Sequence, residues 1–130
     1  MNTLFIYSFM IVLMFLLSGI NKIQNIQSTA ESLQKRVNIN LPFFTVPFEL
    51  YTLAIIIVIL LQILGSMMIL KSAWTGKNNN IAYWSAIALA GFTIIATMLY
   101  HFPPVGKEYY TFMSNLAVTG GLLILADRFN

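Results

Sequence analysis

Cysteine is absent from this 130-residue chain, so no disulfide framework, thiolate metal site or dithiol redox relay can be built from it. Histidine occurs once and Asp and Glu together four times. That is too small a donor set for a typical transition-metal centre held by this chain alone. Charge of either sign is scarce, with charged residues at 8 %, where a soluble domain carries about 25 %. Seven Lys and Arg give a net charge of +3, and no basic run is longer than Lys35-Arg36. A nucleic-acid groove needs a denser basic stripe than that, so no nucleic-acid partner is expected. Seven glycines and four prolines leave little room for a disordered tail.

What is present is apolar. The hydrophobic fraction is 58 %, more than a small soluble domain can hide, because small domains expose a large share of their surface. The excess sits in long runs. Residues 3–20 and 50–70 carry no formal charge, residues 81–100 form a third run closed by His101, and a shorter fourth run covers residues 112–126. A helix rises about 1.5 Å per residue and a bilayer core is about 30 Å thick, so roughly 20 residues span it. The fourth run reaches that length only with Tyr109, Tyr110 and Phe129 in the interfaces. Barrel strands would alternate over about ten residues, which these runs do not. Nor does the first run read as a cleaved signal, since it lacks a basic start and Ser18-Gly19-Ile20-Asn21 is a poor cleavage site. The expectation is an all-α integral membrane four-helix bundle, multi-pass, in one domain. Its spans lie at about 3–22, 48–70, 81–101 and 110–127.

The loops are unequal. Residues 21–48 make a long first connection whose middle has helix signals. Ser28 with Glu31 fits a capping box, and Ala30, Leu33 and Val37 give a short amphipathic helix expected to lie on the membrane surface. Asn40-Leu41-Pro42 reads as a break, and Pro47 suits the first turn of the second span. Residues 71–80 read as a short polar connection, and Pro103-Pro104-Val105-Gly106 as a turn that ends the third span. Trp74 and Trp84 flank the short loop as interfacial anchors. Lys71, Lys77 and Arg128 on one side face Lys22, Lys35, Arg36 and Lys107 on the other, so basic-residue bias does not orient the chain.

Folding the spans up and down gathers polar residues at one membrane face. Lys22 falls at the exit of the first span, Glu49 at the entry of the second, His101 at the exit of the third and Asn115 near the entry of the fourth. Ser18 lies one turn before Lys22, Thr93, Thr97 and His101 recur every four residues, and so do Thr111, Asn115 and Thr119. Together Ser18, Lys22, Glu49, His101 and Asn115 are the candidate polar pocket. Lys22 and Glu49 would form an ion pair or proton couple, His101 could bond a carbonyl, and Asn115 would orient either. A quinone head group offers carbonyl acceptors on a ring, and a lipid head group needs much the same donors. Flavin, haem or iron–sulfur binding is not recognisable, so no cofactor beyond quinone or lipid is expected.

Structural roles compete with each of these. Lys22 could snorkel as an anchor, Glu49 could favour its helix dipole, and His101 could satisfy carbonyls freed before the prolines. For the threonine stripes, hydrogen bonding between helices is the stronger reading. Gly65, Ala86, Ala90, Ala117 and Gly121 read as close packing surfaces, beside Ala82, and the seven methionines as core filler.

Phe15-Leu16-Leu17-Ser18-Gly19-Ile20-Asn21-Lys22 carries a Ser-Gly-x-x-Lys pattern that resembles the DoxX-like membrane proteins. The resemblance runs on through Leu41-Pro42, Glu49, Gly65, His101, Asn115 and Gly120-Gly121-Leu122-Leu123, covering essentially the whole chain. It implies a four-helix membrane subunit similar to the DoxD-type subunit of thiosulfate:quinone oxidoreductase, or to members associated with oxidant-defence complexes. Its polar positions map onto Ser18, Lys22, Glu49, His101 and Asn115. The more distant vitamin K epoxide reductase uses cysteine pairs, and their absence here excludes dithiol chemistry but not quinone binding. The leading expectation is an accessory or binding subunit of a redox-related membrane assembly, with no stand-alone activity and the electron-transfer centre in a partner. Its partners would be the bilayer and other membrane or membrane-associated subunits. A purely structural component is the alternative. A proton or solute pathway is a second alternative, disfavoured because residues 10–17 and 55–61 are wholly apolar.

Overall fold

The structure is a computed structural model that describes residues 3–43, 45–100, 106 and 108–129. Helices α1 (Thr3–Gln24), α3 (Phe48–Thr75), α4 (Asn79–Tyr100) and α5 (Glu108–Phe129) are each long and apolar enough to cross a bilayer. The shorter α2 (Ile26–Asn40) lies between α1 and α3. No strand occurs among the described residues. Only 22 to 33 % of each spanning window is buried within the bundle. The greater part of each window is therefore exposed or only half-buried, the arrangement a hydrocarbon solvent rewards and water does not.

Helix α3 runs further than its charge-free stretch predicts. Pro47, at φ −60° and ψ 150°, leads into it, and Lys71 to Thr75 continue it. It ends at Gly76, whose left-handed backbone (φ 73°) lets its N–H reach the Ser72 carbonyl. Asn78 is also left-handed at φ 60°, and its carbonyl accepts a 3.0 Å bond from Ser72 Oγ. The expected ten-residue polar loop is thus a three-residue turn, residues 76–78. At 28 residues α3 is about 42 Å long, well over a bilayer core.

Packing follows from where the small residues fall. Ala82, Ala86 and Ala90 are 0–2 % exposed and form one face of α4, which lies between α3 and α5. A Cβ placed on Gly65 would sit 3.7 Å from Leu89, ordinary contact for two closely packed helices. Gly121 faces Ile11 of α1, whereas Ala117 is exposed. The reason is periodic: the inward face of α5 carries Thr119, Leu122, Ala126 and Phe129. Ala117 lies two residues before Thr119, about 200° round the helix.

Helix α1 packs antiparallel to α3, with the Phe5 ring 5.1 Å from Trp74 and Gly19 against Ile63. It stops level with the middle of α3, and α2 covers the half that remains. Ala30 and Val37 pack with Tyr51, Ile55 and Ile59 of α3. The apolar face of α2 is therefore spent on the bundle, not on the membrane surface. Its N-cap is Asn25, not Ser28. The Asn25 carbonyl accepts the Thr29 N–H at 2.9 Å, so Ser28 is already inside the helix. At the far end Asn40 Nδ2 donates to the Leu99 carbonyl at 3.1 Å, and the Arg36 guanidinium lies 5.5 Å from the Tyr100 ring centroid. Asn40→Ala should cost about 1 kcal/mol, a typical net hydrogen bond. Hydrogen exchange in the last turn of α2 should rise while exchange in α3 stays as it is, and unchanged exchange there would disprove the tie.

Candidate functional site

A cavity of about 700 Å³ lies where α1 ends, walled by all five helices. Apolar walls come from Met14 and Phe15 of α1, Ile55 and Val58 of α3, and Phe92, Ile95 and Leu99 of α4. Polar groups come from Ser18, Asn21 and Lys22 of α1, Ser28, Thr29 and Ser32 of α2, Gln62 of α3 and Asn115 of α5. Met14 and Ile95, at the apolar end, are both exposed. Asn25 and Ser28, both exposed, border its polar end.

One cluster organises this space. Lys22 Nζ donates to Ser18 Oγ at 2.5 Å and to Gln62 Oε1 at 3.2 Å, and Gln62 Nε2 donates to Ser18 Oγ at 3.5 Å. Ser18 and Lys22 meet because they are four residues apart on α1, one turn along the same face. Gln62 meets them because Gly19, buried between, lets the backbones of α1 and α3 come close. A Cβ there would stand 2.7 Å from Ile63 Cγ1 and 3.5 Å from Gln62 Cβ. The Ser-Gly-x-x-Lys pattern thus has a mechanical sense: the glycine brings α3 in, and the serine and lysine bracket its amide.

Of the five residues expected in the pocket, Ser18, Lys22 and Asn115 line this cavity. Glu49 does not. It is exposed in the first turn of α3, thirteen residues from Gln62, which is about 20 Å along the helix. Span ends do not lie level here, because α3 outruns α1 and α2 fills the difference. Lys22 is therefore paired with an amide at mid-span, not with a carboxylate at the membrane face. His101 lies outside the described residues.

The threonines behave differently from the reading that had them bond across helices. Thr93 Oγ1 donates to the Leu89 carbonyl at 2.7 Å, Thr97 Oγ1 to Thr93 at 2.6 Å and Thr119 Oγ1 to Asn115 at 2.8 Å. Each closes on its own helix one turn back, which satisfies a buried hydroxyl without a partner helix. Thr111 is exposed. Gln62 and the polar face of α2 were missed in the sequence. A signal existed for Gln62, a single amide inside a 21-residue run without charge. Such residues face the bundle interior by default. For Ser28, Thr29 and Ser32 there was none, since nothing local says that α2 folds back over the cavity. No group of three or more His, Cys, Asp or Glu able to hold a metal occurs among the described residues.

A family model described as DoxX matches residues 4–102, about three quarters of the chain. The match takes in α1 to α4, with the Lys22, Ser18 and Gln62 cluster, and stops before α5 and Asn115. No curated protein and no solved structure matches.

Proposed function

We propose, from the premise that this chain belongs to the DoxX family and is a multi-pass integral membrane protein, that it serves as a binding subunit of a redox-related membrane assembly. Its ligand is a lipid-phase amphiphile whose head accepts hydrogen bonds, of the quinone or lipid kind. The observation that carries this reading is the Lys22 ammonium, presented by Ser18 and Gln62 into a cavity whose remaining walls are mostly apolar. A volume of about 700 Å³ falls in the range of small-molecule sites. The electron-transfer centre belongs to a partner subunit, since a chain with no cysteine and one histidine has few side chains to ligate one.

Native mass spectrometry of gently solubilised protein, followed by lipid and quinone extraction, tests the reading. One ligand per chain is expected, with affinity falling about tenfold in Lys22→Met, the effect of losing one charge-assisted hydrogen bond. Bare protein, or bulk lipid held equally by Lys22→Met, would overturn it. The second reading, a purely structural role, is favoured by one observation: the same Lys22–Gln62 bond ties α1 to α3. On that reading Lys22→Met lowers thermal stability in detergent and changes no binding.

A further inference from the structure

We propose that the cavity selects an anionic head: its ligand is a single-chain amphiphile of the fatty-acid class, with the carboxylate seated on Lys22 and the chain along the apolar wall. This rests on the cavity being a ligand site, and narrows what that site takes.

The argument begins with charge. Both partners the structure gives Lys22, the Ser18 hydroxyl and the Gln62 amide oxygen, are neutral. No Asp or Glu lines the cavity among the described residues. Glu49, which would neutralise Lys22 if the span ends were level, stands about 20 Å away along α3. An ammonium held level with the middle of the longest span is costly unless something offsets its charge. A neutral quinone carbonyl would accept a hydrogen bond and leave that charge as it is. A carboxylate does both.

The donor inventory agrees. An ammonium has three N–H groups, and Ser18 and Gln62 take two of them. Ser18 Oγ accepts from both Lys22 and Gln62, which uses its two lone pairs and leaves its own proton to give. Beside them stand the Asn115 and Asn21 amides. A carboxylate, acceptor-only with two oxygens, is the head that such donors suit.

Shape supplies the rest. Met14 and Ile95, which line the cavity, are exposed apolar residues of two spanning helices, so this end of the cavity borders hydrocarbon. A chain lying against Phe15, Phe92 and Ile95 would have apolar side chains beside it on the way to the Lys22 cluster. The volume is that of one drug-sized ligand, which suits one chain and a small head.

Direct binding to the delipidated full chain in neutral-lipid nanodiscs tests this, with hexadecanoate, hexadecanol and a decyl-quinone as separate probes. Near pH 8 the carboxylate is ionised. Wild-type protein should bind hexadecanoate about tenfold to a hundredfold more tightly than hexadecanol, the range a charged hydrogen bond supplies. Lys22→Arg should keep that preference and Lys22→Met should lose it. Gln62→Glu is the sharper variant, because it places a carboxylate where the amide oxygen now meets Lys22. Hexadecanoate binding should fall about tenfold with hexadecanol unchanged, the loss expected when the cation already has its anion. Equal binding of acid and alcohol by wild type, or hexadecanoate binding indifferent to both variants, would overturn the proposal. Lys22-dependent binding of the decyl-quinone without hexadecanoate would also overturn it, yet leave the ligand site standing. Binding of none of the probes would sink the site itself.

Discussion

Phe15→Ala is expected to cost about 3–5 kcal/mol, the range for removing a buried aromatic ring. Phe15 is 1 % exposed and belongs to the main core with Ile69, Leu89 and Leu122, while one side of it walls the cavity. Its ring therefore does two jobs. Truncation leaves a void among side chains that cannot collapse into it, because the helices around it are held at several other points. The dispersion contacts are lost outright, in hydrocarbon as in water. Reversible unfolding in mixed micelles should show the loss as an earlier transition in denaturing detergent. On the proposed function, the enlarged cavity should also hold its ligand more loosely, since the wall no longer fits it. A loss below about 1 kcal/mol would mean that the ring is not packed as described.

Gly19→Leu is expected to destabilise the protein by about 3 kcal/mol, at the upper end for overpacking. Even a Cβ at this position would stand 2.7 Å from Ile63 Cγ1, so Ile63 must move before the rest of a leucine is placed. The room can come only from α1 and α3 separating, and that parts Lys22 and Ser18 from Gln62. Binding and stability should fall together. Gly19→Ala is the graded control: its Cβ already stands 2.7 Å from Cγ1 of the β-branched Ile63, so it should lose part of what Gly19→Leu loses. By contrast Gly91 has open space where a Cβ would be, so Gly91→Ala should leave both properties as they are. A Gly19→Leu protein with native stability and ligand affinity would show that α1 and α3 do not meet at this residue.

The spans were plain from composition because a bilayer imposes length. A run of about 20 apolar residues has few other uses. All four were found, and their bounds erred where polar residues continue a helix, as Lys71 to Thr75 continue α3. A helix end is set by its cap, and Gly76 in the left-handed region is a stronger stop than a lysine. The α2 helix was legible too, with its apolar positions. What those positions touch was not, since a short amphipathic stripe suits a lipid surface and a neighbouring helix equally well.

The pocket was legible only in part, for the same reason. Ser18 and Lys22 were placed together because residues four apart share a helix face, and that needs no tertiary information. Asn115 was placed by the up-and-down topology and lines the cavity. Glu49 was placed by that topology as well, and it stands elsewhere. Counting span ends as level assumes helices of equal length, whereas α1 has 22 residues and α3 has 28. Gln62 was overlooked because hydropathy averages over a window, and one amide barely lowers a run so apolar.

By itself, then, the sequence determined the solvent, the number of spans, the family and the local pairing of Ser18 with Lys22. Each depends on run length or on one helical turn, quantities that chain geometry fixes in advance. The tertiary structure alone decided which helix meets which and at what height. It put Gln62 where Glu49 was expected, folded α2 over the bundle, and turned the threonines back on their own helices. Those outcomes depend on relative shifts between helices, set by close contacts such as Gly19 against Ile63 that no local pattern encodes.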